Sequence, residues 1–193
     1  MLYSFLWRVI RLILLIWRRW QVIGIEHLPQ RGGVVVVSNH VSNLDPVVVG
    51  CALTRPIHFM AKIELFKIGI IGWFLRQLKS FPVHRDKSDR QAIRTALELL
   101  QSGEVLGIFP EGTRSKTGEL QKPHIGAALL AIKADVPIVP IALKGTKGFF
   151  TKIVVLVGEP IYLPEVWHNR PGKEELEKLS EQAMRQVAAL LNK

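Results

Sequence analysis

Residues 34–46 read Val34-Val35-Val36-Val37-Ser38-Asn39-His40-Val41-Ser42-Asn43-Leu44-Asp45-Pro46. A strand with one wet face alternates apolar and polar side chains. Four consecutive valines do not alternate, so this strand is buried on both faces, as in a parallel sheet covered by helices. The preceding Arg31-Gly32-Gly33 makes a turn, and Asp45-Pro46 marks a helix start just beyond the strand.

On either side of this stretch, extended runs recur at 21–26, 57–61, 81–83, 105–109, 138–143 and 152–157. Helical patterns lie between them at 45–53, 70–78, 88–101 and 125–134, and a last one spans 172–191 with Leu176, Leu179, Ala183, Val187 and Leu190 on one face. In the clearest helix Ser88 and Gln91 form a capping box, Ile93, Leu97 and Leu100 make the stripe, and Gly103 ends it. The expectation is an α/β fold: a single domain with a largely parallel or mixed central sheet flanked by helices. No repeat, low-complexity tract or linker divides it.

The chain has 193 residues, enough for one domain with a full core. With 48% apolar and 22% charged residues, intrinsic disorder is excluded. The lone Cys51 excludes an intramolecular disulfide and fits a reducing compartment. No two histidines lie within five residues of each other, so a metal site lacks ligands and none is expected. The chain is nonetheless apolar on average (mean hydropathy +0.21) and carries a net charge of +10.

Charge resides in the N-terminal half. Residues 1–85 hold 11 Lys and Arg against Glu26, Asp45 and Glu64, whereas residues 86–193 are nearly balanced. Such asymmetry marks a face that meets an anionic partner. Residues 1–20, MLYSFLWRVIRLILLIWRRW, identify that partner as membrane rather than nucleic acid. As a helix they would be about 30 Å long, but Arg8 and Arg11 would each cost roughly 2.5–3.5 kcal/mol near the bilayer centre. Ser4, Arg8, Arg11, Arg18 and Arg19 fall within an arc of about 100°, and the rest of the circumference is apolar. This is the pattern of an amphipathic helix lying in the interface with arginines at the phosphates. A cleavable signal peptide is not indicated, since the apolar stretch is interrupted and no small-residue cleavage site follows. The expected division is therefore 1–20 as membrane-interface helix and 21–193 as catalytic domain, attached to the membrane without crossing it. The alternative is a helix docked on the domain's own core.

Two strand ends carry chemistry. His40 stands five residues before Asp45, a spacing at which the carboxylate can hold the ring, fix its tautomer and leave the other nitrogen as a base. His84 and Asp89 share the spacing, but Asp89 stands where an acid complements a helix start and His84 lies in a polar run. His40 and Asp45 are therefore the expected catalytic pair, the bland alternative being a helix cap. At the second strand end, Phe109-Pro110-Glu111-Gly112-Thr113-Arg114-Ser115 sets a phosphate-matching guanidinium beside a glycine. Lys62 and Arg85 are further cations at strand ends. A base among cations points to an anionic substrate whose hydroxyl is deprotonated.

The blocks 39–45 and 109–115 resemble those of the glycerolipid acyltransferases, most of all the lysophosphatidic acid (1-acylglycerol-3-phosphate) branch. Softer blocks at 61–65, 81–85 and 136–140 follow the same order, and the resemblance covers about residues 22–165. It implies metal-free transfer of a fatty acyl group from a coenzyme A or acyl carrier protein thioester to a glycerol hydroxyl, with no bound cofactor. His40 would be the general base oriented by Asp45. Lys62, Arg85 and Arg114 would grip the acceptor's phosphate in a pocket shaped by Glu111, Gly112 and Thr113. The implied partners are a phospholipid surface, a lysophospholipid acceptor and the donor, on the cytoplasmic face; nucleic acid is not among them. Glycerol-3-phosphate or another lysophospholipid stays open as acceptor. A membrane-bound lipid hydrolase is the alternative from another class, although G-x-S-x-G is missing. Nothing in the sequence sets acyl-chain length; 70–78 is a possible lining for a tunnel.

Overall fold

The computed structural model describes residues 2–84, 89–164 and 172–193. Seven strands form one sheet: β1 (Gln21–Ile23), β2 (Val34–Ser38), β3 (Ile57–Lys62), β4 (Phe81–Val83), β5 (Val105–Ile108), β6 (Ile138–Lys144) and β7 (Val154–Val157). Their order is β1-β7-β6-β2-β5-β3-β4, and every neighbouring pair is parallel except β6 and β7. The helices are α1 (Leu2–Arg18), α2 (Asp45–Ala52), α3 (Ile63–Phe66), α4 (Gly69–Gln77), α5 (Arg90–Gln101), α6 (Gly126–Ala134) and α7 (Lys173–Leu191). The expected mixed α/β sheet flanked by helices is what the chain forms.

Both faces of the sheet are covered, which is why the valine run does not alternate. Val34 and Val36 pack with Val48, Val49 and Leu53 on the α1/α2 side. Val35 and Val37 pack with Ala96, Leu100, Ala131 and Val187 on the side of α5, α6 and α7. All four valines are 1% exposed or less, so each contributes close to the full 1.5–3 kcal/mol of a buried aliphatic side chain.

Local details differ from the sequence expectation where tertiary partners decide. β1 stops at Ile23 because its edge pairing with β7 extends only from Gln21 to Ile23. The four-residue α3 is too short to show periodicity. The N-cap of α5 is Asp89, whose Oδ1 accepts from Ala92 N at 3.0 Å; the expected cap, Ser88, lies outside the described residues. Asp89 Oδ2 also accepts the main-chain N–H of His84 and meets its Nδ1 at 2.9 Å. Main-chain donors from His84 and Ala92, helped by the imidazole, hold the Asp89 carboxyl below the ordinary aspartate value. A depressed carboxyl stabilises the fold above its unfolded pKa and loses that contribution on acidification. Replacement of Asp89 by Ala is therefore expected to lower the melting temperature at pH 7. The gap to wild type should close as the pH falls below about 4.

The N-terminal helix both docks and exposes. Leu14 and Trp20 are buried in the core with Trp7 and Ile10 packed against them, and Trp7 Nε1 donates to Gly50 O at 3.1 Å. Leu12, Ile13, Leu15, Ile16 and Trp17 face outward. Two arginines expected at lipid phosphates turn inward instead. Arg11 lies over the rings of Trp7 and Trp20, and Arg18 is 4% exposed with its guanidinium on the carbonyls of Gly145 and Thr151. The exposed face is thus more apolar than the helical wheel implied. No helix among the described residues is long and apolar enough to cross a membrane.

Candidate active site

In parallel α/β sheets, ligands gather beyond the carboxyl ends of the strands. β2 and β5 are neighbours, and their following loops meet at that edge. Asn39 is the hinge. Its buried amide donates to Leu143 O at 3.0 Å and accepts from Leu143 N at 2.8 Å. A side chain thereby continues the ladder to β6 one residue past the strand, releasing the main chain of His40 to turn.

His40 Nδ1 lies 2.8 Å from Asp45 Oδ2. The same oxygen accepts from Val41 N at 2.6 Å and Ser42 N at 2.7 Å, and Asp45 is fully buried. A carboxylate held by main-chain N–H groups only accepts, so Nδ1 carries the proton and Nε2 is the free lone pair. Asp45 caps nothing in α2; its partners all precede it, so the capping alternative fails. Its Oδ1 has no partner within hydrogen-bond reach among the described residues.

The ring is also held from the side. His40 stacks on Phe109 at 4.1 Å between centroids, and Phe109 stacks on Phe59 at 5.7 Å. Phe59 lies where a side chain at Gly107 would stand: a Cβ there would come within 2.2 Å of Phe59 Cε1. Gly107→Ala is therefore expected to destabilise the fold by about 1–3 kcal/mol through overpacking. It should also lower the turnover number by disturbing the stack, measurable by chemical denaturation alongside steady-state kinetics.

The second loop is tied to the first. Glu111 is 3% exposed; its Oε1 accepts from His40 N at 2.9 Å and its Oε2 from Gln121 N at 3.1 Å. Ser115 N donates to His40 O at 2.8 Å. Burial raises the Glu111 carboxyl above the ordinary value, partly offset by those two N–H donors. Glu111 lines the cleft and at the same time braces the two loops, both its oxygens accepting main-chain N–H groups. Gly112 takes a left-handed conformation (φ 69°), which a side chain would strain. It turns Thr113 and Arg114 into solvent.

A cleft of about 490 Å³ opens here, walled by His40, Met60, Phe109, Gly112, Thr113 and His124 among others. His124 is an addition: isolated in sequence, it reaches the cleft because α6 begins beside the Gly112 turn. Arg114 borders an adjoining hollow with Thr113 and Lys116. Lys62 ends β3 two residues beyond the cleft residue Met60, its ammonium 3.7 Å from Glu64. Arg85 lies outside the described residues. The pair His84 and Asp89 reproduces the imidazole–carboxylate contact, but the His84 side chain is 44% exposed and Asp89 is engaged as a cap.

Beyond Phe59 lies a second, apolar cavity of about 180 Å³ between α1, α2 and α4, bordered by Trp7, Ile10, Val47, Cys51, Phe74 and Leu78. Of the stretch 70–78, therefore, part lines a cavity. Burial pushes the Cys51 thiol up to about 12, an inert thiol rather than a nucleophile.

This fold with an imidazole–carboxylate base beside a braced polar loop is that of an acyltransferase. A family model described as Acyltransferase matches residues 19–144, and the chain belongs to that family. It is 34% identical over its whole length to the 1-acyl-sn-glycerol-3-phosphate acyltransferase of Bacillus subtilis (strain 168), covering 98% of that protein. With the enzyme of the same name from Borreliella burgdorferi it shares 29% identity over 88% of this chain and 67% of the relative. The crystal structure of the 1-acyl-sn-glycerophosphate (LPA) acyltransferase of Thermotoga maritima superimposes with a TM-score of 0.75 and 28% identity. That match covers 99% of this chain and 82% of the other.

Proposed function

We propose that the protein transfers a fatty acyl group from a thioester to the free hydroxyl of 1-acylglycerol 3-phosphate, giving phosphatidic acid. The observation that carries this reading is the oriented imidazole: Nδ1 is fixed by a buried carboxylate, which leaves Nε2 as the base, and His40 lines a cleft. His40 takes the acceptor's proton as the hydroxyl oxygen attacks the thioester carbonyl. The C–S bond breaks, and the imidazolium returns the proton to the departing thiolate. Asp45 stabilises the imidazolium in between.

Arg114 and Thr113, beside the Gly112 turn, receive the acceptor's phosphate, with Lys62 and Arg85 contributing charge. The apolar cavity beyond Phe59 takes the fatty acyl chain. The donor is a coenzyme A or acyl carrier protein thioester; both carriers are anionic and are drawn to the cationic half of the chain. The outward face of α1 seats the enzyme on the cytoplasmic surface of the bilayer, where both lipids reside.

The test offers purified protein each thioester with 1-acylglycerol 3-phosphate, glycerol-3-phosphate and other lysophospholipids, reading products by mass spectrometry. Acceptor-dependent phosphatidic acid is expected. Release of free fatty acid to water, indifferent to any acceptor, would overturn the reading in favour of a lipid hydrolase.

A further inference from the structure

The loop joining β6 to β7 reads Gly145-Thr146-Lys147-Gly148-Phe149-Phe150-Thr151-Lys152-Ile153. Two adjacent phenylalanines stand at its tip, 65% and 75% exposed. Exposing one large aromatic is ordinary for a folded domain; two together need a reason. They are not loose. Phe149 and Phe150 meet edge to face at 4.9 Å, and both meet Trp17 at the end of α1, at 4.6 and 6.3 Å.

The loop is built to hold them there. Buried Arg18 spans its base, with Nε donating to Thr151 O at 3.0 Å and Nη2 to Gly145 O at 2.6 Å. Thr151 Oγ1 donates to the same Gly145 carbonyl at 2.6 Å. Ile153 N donates to Arg18 O, and Gln21 N to Ile153 O, stitching the loop's exit to the end of α1. A guanidinium taken out of water and spent on loop carbonyls fixes the tip relative to the helix. The outward apolar face of α1 and the aromatic tip are therefore one continuous rigid surface.

Its charge is one-signed. Between Asp135 and Glu159 the chain holds no acid, and Lys144, Lys147 and Lys152 flank the tip. Lys147 and Lys152 donate to neutral oxygens, Lys116 O and Gln21 Oε1, and keep their charge uncompensated there. Apolar aromatics ringed by cations fit an anionic bilayer: rings at the headgroup boundary, ammonium groups at the phosphates. We infer that the Phe149–Phe150 tip is a second membrane-inserting element, clamped to α1 by Arg18, that sets the orientation of the enzyme on an anionic phospholipid surface. This rests on the reading that α1 itself lies on the bilayer. Because Lys147 reaches Lys116 in the loop following Arg114, the same contact ties seating on the membrane to the phosphate side of the cleft.

The test uses the full chain carrying Phe150→Cys or, separately, Ile16→Cys on the outward face of α1. Each is labelled with an environment-sensitive fluorophore, the buried Cys51 staying unlabelled. Vesicles of phosphatidylcholine, with and without phosphatidylglycerol, are then added. Blue-shifted emission from both sites on anionic vesicles is expected. Phe149→Ser combined with Phe150→Ser should weaken vesicle binding on the order of tenfold or more, with an unchanged circular dichroism spectrum. A shift at position 16 alone leaves α1 on the membrane and overturns the second contact. No shift at either site overturns the membrane reading with it. A shift at position 150 that grows with protein concentration in the absence of vesicles would make the tip an interface between copies and overturn the proposal.

Discussion

Replacing His40 by Ala is expected to remove acyl transfer almost entirely, with kcat falling by about 10²–10⁴ and the fold intact. The imidazole is 14% exposed as a side chain and lies on a cleft wall, so truncation leaves a space open to water rather than a core cavity. The His40 main-chain bonds to Glu111 and Ser115 do not involve the ring and survive. Melting temperature should change little while product formation collapses. His84→Ala is the matched control: the same imidazole–carboxylate contact on an exposed surface should leave acyl transfer unchanged. Full activity in His40→Ala would end the mechanism.

Asp45 is expected to show two distinct phenotypes. Asp45→Ala removes the acceptor of the Val41 and Ser42 N–H groups and of the imidazole, inside a site with no exposure. Three donors lose their acceptor at once, and each buried donor left unsatisfied costs about 1–3 kcal/mol, together a large share of the 5–15 kcal/mol typical of a domain. His40→Ala, by contrast, leaves the Val41 and Ser42 bonds to Asp45 in place. Asp45→Ala should unfold early in urea as well as lose activity. In Asp45→Asn the two main-chain donors choose the amide's orientation. They demand oxygen at the Oδ2 position, which places the NH₂ at the unpartnered Oδ1 position. The tautomer of His40 is then preserved and only the charge is lost. Hydrogen bonds to charged groups are worth about 1 kcal/mol or more beyond neutral ones, so kcat should fall about fivefold or more with KM nearly unchanged. An Asp45→Asn enzyme as dead as His40→Ala would show that the charge, not ring orientation, is what the site requires.

How far these features were legible depended on how local they are. The Val34–Ser38 strand could be read because burial on both faces leaves a composition that no half-exposed strand has. His40 and Asp45 could be read because five residues bring them together through one turn. Residues joined across the fold were not legible. Arg18 belongs to an arginine arc on a helical wheel, yet its partners, Gly145 and Thr151, are more than a hundred residues away. Glu111 reads as a pocket residue and does line the cleft, but its bracing role was hidden, because its oxygens meet His40 and Gln121 only once two loops are folded together. Asn39 stood inside the motif without a role because its pairing with Leu143 depends on β2 lying next to β6. Asp89 caps α5 through one oxygen and meets His84 from the preceding strand end through the other, a double use that its place at the helix start does not reveal.

The glycine and aromatic layer behind the base belongs to the same class. Gly107 is an unremarked residue of an apolar run until Phe59 from the adjacent strand fills its place. Position in the sheet, rather than residue type, makes it part of the catalytic support.

Direct transfer from thioester to glycerol hydroxyl, with His40 as base, requires that no acyl-enzyme form. The most direct measurement mixes excess enzyme with its acyl thioester and 1-acylglycerol 3-phosphate, quenches over a time course, and reads phosphatidic acid, fatty acid and intact protein mass together. Phosphatidic acid should appear as fast as thioester disappears, with the protein mass unchanged throughout. An acylated protein that precedes the product, or fatty acid released at the same rate without the acceptor, would contradict it.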